Sequence, residues 1–470
     1  MLIRSVLPYR SQLTDEDRKM STIPDELKIY ELSKLWKEAE YNFAFWDKVD
    51  IEWDEEYKKA LPRVLAAKDV YEYYRELRRF AALLCDGHTD VSFPNCVWQD
   101  AKYFSAFPVY FFRFGKVIAV ICVSEEYKDR IPLYSVLKKI DGTDAGEYVI
   151  KNCYPYIWHA NEAACGRNAM TELMYGRAGT SALFTFEKDG SEFEITLTRE
   201  DAAKIRWYAE TPGTADTGRQ LIVSGDSHKC EMTDDGIAVL KFTSFDDNSM
   251  PETVYWHFEE LSKAKAFIID VRGNTGGNSF NGHQIAAMFI DGDFQNFSGK
   301  MQTYQPTYKA WGVFRDDLKN ISPSELEEKY SDDESIKEYR MSRHIFYDSV
   351  TEMTENHAPG KLNGPIAVLM NEYTFSAGED FVDAMKANTE AVFIGNNTAG
   401  SSGQPLFTAL ESGGSFRICT MRCIAQNGED IYNKGFSPDI KVEHSLSDYI
   451  KGRDPALEKA IAVLKEKAGL

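Results

Sequence analysis

From Ile23 to about Leu84 apolar residues recur at three- and four-residue intervals in long polar and aromatic runs such as ELSKLWKEAEYNFAF and DVYEYYRELRRFAALL. That period predicts helices with one buried stripe. Asp86-Gly87 then punctuates the second run, as a glycine after a periodic segment does. From about Phe107 to Arg199 the pattern shortens to β-like runs (VYFFRF, KVIAVICV, SALFTFEKDG, SEFEITLTR) around a helical stretch beginning near Asp144. Beyond about Gly236, apolar runs (GIAVLKFTSF, AFIIDV, PIAVLMN, AVFIG) alternate with helical patterns (SFNGHQIAAMFI, SAGEDFVDAMKAN). Such alternation predicts a largely buried sheet covered by helices. A charged, aromatic-rich stretch over about 304–360 interrupts it and reads as a helical insertion. The expected fold class is therefore α/β.

With 470 residues and about 100–200 residues per domain, two to four domains are expected. Three are drawn: a helical part at 1–95, a β-rich part at 96–205 and an α/β core at 206–470. The hydrophobic fraction of 43% and charged fraction of 27% are those of a folding globular chain. A net charge of −20, with no dense Lys/Arg cluster, argues against nucleic acid and anionic membrane surfaces as partners. No stretch approaches the ~20 apolar residues of a membrane span. The start, MLIRSVLPYRSQLTDEDRK, lacks an apolar h-region and a small-residue cleavage site. The chain as given reads as cytoplasmic, although a trimmed extracytoplasmic chain would read the same.

The eight cysteines are scattered without CxxC pairs, so free, buried thiols are expected. Cys85 with His88, and Cys419 with Cys423 on a helix, would each make half a metal site. Neither has a second half nearby, and no metal is expected.

AFIIDVRGNTGGNS reads as a buried strand ending at Asp270-Val271, followed by a turn with Gly273, Gly276 and Gly277 that opens a helix. Glycines there let backbone N–H groups approach a bound oxygen, as an oxyanion hole requires. A tight strand-to-helix turn without a ligand explains the same residues. No GxGxxG or GxxxxGK[ST] nucleotide loop is present. In NEYTFSAGEDFVDAM, Ser376 stands where a second buried strand meets the next helix, with the N–H of Ala377 beside it. The competing reading is an S-x-x-E capping box formed by Ser376 and Glu379.

DVRGNTGG, NEYTFSAGEDFVDAM, AVFIGNNTAGSSG and NKGFSPDIKV resemble, in order and approximate spacing, the motifs of the S41 peptidase family of tail-specific and tricorn-type proteases. With LLCDGHTDV the similarity spans about residues 75–460. VLKKIDGTDAGEYV resembles the part of a PDZ domain where a strand ends in a turn and feeds a helix. The resemblance implies a crotonase-like αβ core, a PDZ-like domain that adds peptides as a strand, and a serine endopeptidase acting on peptides or unfolded protein. It implies no metal or organic cofactor, and leaves a homo-oligomer open.

Two branches of the family differ in the general base. The lysine of the C-terminal-processing branch is missing from Thr398-Ala-Gly-Ser-Ser-Gly403. The tricorn-like branch uses a histidine before the PDZ-like domain, which matches His88. The third catalytic group of that branch, a glutamate before G-x-x-P-D, aligns with Tyr432, so Glu429 and Asp430 are the nearest substitutes. Glu379 matches a family glutamate and is also a candidate cap. His283, on the helix after the glycine turn, is a second candidate base. The expected chemistry is attack by Ser376, activated by His88, with N–H groups of Gly276 or Gly277 and of Ala377 holding the oxyanion. Two alternatives are a catalytically inactive ligand- or peptide-binding protein of the same architecture and an acyl-CoA enzyme of the crotonase type.

Overall fold

The computed structural model describes residues 23–210, 218–304, 306–318, 321–336, 339, 342 and 347–470. The leaderless reading of the first 22 residues lies outside them. Among the described residues, no helix is long and apolar enough to cross a membrane.

The fold is mixed α/β. Helices Asp25–Asn42, Trp53–Ala66 and Val70–Ala82 open it. The last of these starts where Asp69 accepts a hydrogen bond from the Glu72 N–H, and it buries Val70, Tyr73, Tyr74, Leu77 and Phe80 along one stripe. Trp53 stacks on Phe80 at 4.2 Å. This stripe does not close on itself. Leu410 and, from a strand more than 300 residues later in the chain, Phe416, Ile418 and Cys419 complete its core. The sheet carrying them runs Asp90–Ser92, Ser415–Cys419, Pro405–Ala409. The helical part and the C-terminal part of the chain thus share one core, which the local patterns did not suggest.

The β-rich part has antiparallel strands Val109–Phe114, Val117–Ser124, Val136–Ile140, Ser181–Lys188 and Ser191–Thr198. Phe107, Phe111, Phe184 and Phe186 fill its core. Helix Glu162–Met174 lies along strand Val109–Phe114, whose one strand partner among the described residues is Val117–Ser124.

The third part is built on a seven-stranded sheet. Its strands Ile237–Phe242, Ala266–Asp270, Ile366–Met370, Val392–Gly395 and Ile440–Lys441 run parallel. Because side chains alternate along a strand, each strand is divided between two cores. Ile237, Val239, Ala266, Ile268, Ala367 and Leu369 face helix Pro455–Ala468. Ala238, Leu240, Phe267, Ile269, Val368 and Met370 face helices Ser279–Ala287 and Ala377–Asn388. The insertion is not wholly helical as expected. Helices Pro306–Gly312 and Pro323–Tyr330 lead to strand Tyr347–Thr354, which pairs with Phe294–Gln302, itself paired with Met421–Ile424.

Candidate active site

The glycine turn and the serine turn leave neighbouring parallel strands on the same side and are tied to each other. Thr374 Oγ1 donates to the Val271 carbonyl at 2.9 Å, the Phe375 N–H to the Asn274 carbonyl at 3.0 Å, and the Gly273 N–H to Asn371 Oδ1 at 3.3 Å. Arg272, bonded to Asp270 and Asp454, fixes the exit of the first strand. At Gly276, with φ +98, a Cβ would lie 2.6 Å from that of Ser376, so only glycine permits this approach.

Ser376 sits at φ 54 and ψ −127 ahead of helix Ala377–Asn388 and makes no side-chain capping bond. A non-glycine residue in that region costs about 1–3 kcal/mol and persists only where surrounding contacts enforce it. The strain turns the hydroxyl out of the helix end. The capping-box reading of Ser376 and Glu379 is thereby corrected.

His88 Nε2 lies 2.9 Å from Ser376 Oγ, across 288 positions of sequence. Its ring stacks on Phe375 at 4.6 Å and 14°. Nδ1 meets Ser401 Oγ at 2.8 Å, and Ser401 Oγ donates to Asp86 Oδ1 at 3.4 Å. Hydrogen-bond direction follows from donor capacity. Because the Ser401 hydroxyl gives its proton to Asp86, it accepts from Nδ1–H, and the Nε2 lone pair is left facing Ser376. Asp86 Oδ2 accepts from the His88 N–H at 3.0 Å and Thr89 Oγ1 at 2.8 Å. Gly87 allows the loop to fold this closely, since a Cβ there would stand 2.8 Å from Ser401 Cβ. Burial, then the charge of Arg417, pushes the imidazole pKa down to about 3. Burial raises the Asp86 carboxyl to about 6, against its bonds from Thr89 and the loop and the attraction of Arg417.

Of the expected oxyanion donors, the Gly276 N–H is taken by Asn274 Oδ1 at 3.0 Å. The N–H groups of Gly277 and Ala377 have no acceptor among the described residues. Of the expected donors, these two are the ones without an acceptor.

The expectations about a third group are corrected. Glu429 is exposed. Asp430 pairs with Arg422 and Lys48, and Tyr432 donates to the Cys85 carbonyl at 2.7 Å. None of the three touches His88. Glu379 is buried, but it accepts from Thr398 Oγ1 at 2.6 Å, Gly400 N–H at 2.8 Å and Ser401 N–H at 2.8 Å, so it holds the Ser401 loop rather than the imidazole. Burial raises its carboxyl to about 7. His283 meets Thr354 and not Ser376. Ser401 and Asp86 were missed as members of the site, although both lay in segments already singled out. Ser401 is the residue standing in the loop where the lysine was sought.

Asp86, His88 and Cys419 bring donor atoms within 4.8 Å of one another. Both His88 nitrogens are engaged by serines, and the Cys419 thiol, raised by burial, donates to the Met421 carbonyl. That donor set suits a hydrogen-bonded cluster better than a cation. Cys419 and Cys423 lie on strands, not on one helix.

Residues 236–442 match the model of peptidase family S41. The carboxy-terminal processing protease CtpA of Bacillus subtilis (strain 168) is 26% identical over 223 residues, 47% of this chain and 38% of that protein. The tricorn protease of Thermoplasma acidophilum is 30% identical over 138 residues, 28% of this chain and 13% of that protein. The chain therefore spans well under half the length of these curated relatives. In overall structure it resembles mature CPAF, with a TM-score of 0.67 at 17% identity, covering 94% of this chain and 97% of that one. At that identity the likeness concerns the fold alone.

Proposed function

We propose, from the match of residues 236–442 to peptidase family S41, that this protein is a serine endopeptidase in which Ser376 and His88 form the catalytic pair. The observation that carries the reading is the 2.9 Å contact between His88 Nε2 and Ser376 Oγ. In this reading His88 removes the hydroxyl proton as Oγ attacks a peptide carbonyl, and the N–H groups of Gly277 and Ala377 hold the oxygen as it becomes negative. His88 then gives its proton to the leaving amine, and water hydrolyses the acyl-enzyme by the same route. Ser401 keeps Nδ1 protonated, and the Asp86 carboxylate behind it favours the imidazolium that forms. The role given elsewhere to a directly bonded carboxylate is thus passed through a hydroxyl.

The finer architecture belongs to the same proposal. The seven-stranded part is a crotonase-like core, and residues 105–208 are a PDZ-like module. Its free strand edge, Val109–Phe114 beside helix Glu162–Met174, would add an extended peptide as a further strand. The module touches the site directly: the Asn161 N–H donates to the Ala399 carbonyl at 3.0 Å, and the Arg167 guanidinium to the Glu372 carbonyl at 2.9 Å. Substrates are accordingly extended peptides or unfolded protein.

Hydrolysis of an unfolded protein, followed by mass spectrometry, tests the reading. Ser376→Ala and His88→Ala should each abolish cleavage, and the double variant should be scarcely worse than either, because residues acting as one unit are not additive. A His88→Ala protein with near-wild-type turnover would remove His88 from the pair.

A further inference from the structure

A cavity of about 820 Å³ lies against the turns around Ser376, although Ser376 itself is not on its wall. Three elements that flank the serine form its near wall. Gly277 and Ser279 follow the glycine turn, and Ser402 and Gly403 follow Ser401. Asp380 lies one helical turn beyond Ser376, its N–H bonded to the Ser376 carbonyl at 3.2 Å. A side chain next to a carbonyl held by Gly277 and Ala377 would enter here.

Amide and hydroxyl groups of Asn278, Asn296 and Gln404 and of Ser279 and Ser402 line this cavity, and two of its groups stand out as acceptors. Asp380 Oδ2 and Oδ1 each accept one hydrogen bond, from Ser279 Oγ and Ser402 Oγ, both at 2.5 Å. No Lys or Arg lines the cavity among the described residues, so this carboxylate has no cation beside it there. Each oxygen keeps a lone pair. Burial raises the carboxyl to about 6, as expected of an anion without a counter-charge. The second acceptor is His283, whose ring is 6% exposed and lines the same space. Thr354 Oγ1 gives its proton to Asn296 Oδ1 at 2.5 Å and so accepts from His283 Nδ1–H at 3.4 Å. His283 Nε2 is then a lone-pair acceptor, and it has no partner among the described residues. Burial pushes that imidazole down to about 4 and keeps it neutral. Glu352 and Glu355, both exposed, add negative charge at the rim.

A half-buried carboxylate, an unpaired imidazole lone pair and acidic rim residues call for a ligand that is cationic and rich in donors. Resting on the peptidase reading above, we infer that this cavity is the primary specificity pocket and that it takes a lysine or arginine side chain from the residue whose carbonyl is cleaved. An ammonium or guanidinium group would give Asp380 its counter-charge and His283 Nε2 a donor, while the apolar stem packs on Phe297 and Met421.

Peptides differing in that one residue (Lys, Arg, Leu, Glu) would be compared by kcat/KM on wild type and Asp380→Asn. The pocket predicts a preference of at least about tenfold for Lys and Arg, lost in Asp380→Asn, as a charge-assisted hydrogen bond is worth that much. Equal or better cleavage after Leu, a basic preference confined to the leaving-group side, or a uniform loss in Asp380→Asn across all four peptides overturns it. Glu352→Gln at the rim, where folding is not at stake, should reduce the same preference more weakly. Calorimetry of short peptides ending in Lys, Arg, Leu or Glu with the Ser376→Ala protein repeats the test without catalysis. Tighter binding of the basic pair supports the pocket, and equal binding of all four overturns it. Failure to hydrolyse any peptide would count against the peptidase reading instead.

Discussion

At the scale of single residues, the direction of the hydrogen bonds decides which nitrogen of His88 can act. Ser401 is the hinge of that chain, because its hydroxyl fixes the Nδ1–H tautomer. Ser401→Ala leaves Nδ1–H facing no acceptor and lets the ring protonate at either nitrogen. We expect kcat to fall about tenfold or more, the worth of one buried hydrogen bond, with KM little changed and partial rescue by Ser401→Thr. Steady-state kinetics on a peptide substrate reads the split. The pH profile carries the sign. The imidazole must be neutral to accept a proton, and burial with Arg417 nearby lowers its pKa to about 3. The acid limb of kcat/KM should therefore lie below the ordinary ~6.5 of histidine, not at it. His88 and Ser376 were legible in the sequence because each stands in a recognisable motif. Ser401 and Asp86 were not assigned, because a carboxylate acting through a hydroxyl leaves no pairwise signature.

At the scale of elements, the site depends on two turns leaving adjacent parallel strands. The strands were legible because AFII and IAVLM are continuous apolar runs, fully buried in the fold. The turns were legible only as glycine-rich and serine-bearing. That Ser376 is strained rather than capping follows from the cross-links at Thr374 and Phe375, which no local propensity encodes. Gly276→Ala tests the close approach. A Cβ would meet the Ser376 Cβ at 2.6 Å at a backbone angle of φ +98. We expect loss of activity and a destabilisation of about 1–3 kcal/mol in urea unfolding. Gly273→Ala, where a Cβ meets nothing within 4 Å but φ is +82, should share the destabilisation and keep most of the activity. Equal loss of activity in both would remove the special role of Gly276.

At the scale of the whole molecule, the base and the nucleophile reach each other only because the N-terminal helices share a core with Phe416, Ile418 and Cys419. The segment from Leu84 to Thr89 is held there by the bonds of Arg417 to the Gly87 carbonyl and of Tyr432 to the Cys85 carbonyl. Helical and sheet patterns are local and were readable. The shared core was not, because it pairs strands and helices separated by over 300 positions, and periodicity says nothing about partners at that distance. The proposed pair is thus a property of the assembled fold, and the reactivity of Ser376 is its most direct reading. Labelling by a fluorophosphonate probe, with the modified residue located by mass spectrometry, measures it. The pair predicts one label per chain, on Ser376, at a rate that falls by at least about a hundredfold in His88→Ala, the lower end of what a general base supplies. Absence of labelling in the wild type, or equal labelling of wild type and His88→Ala, would contradict it.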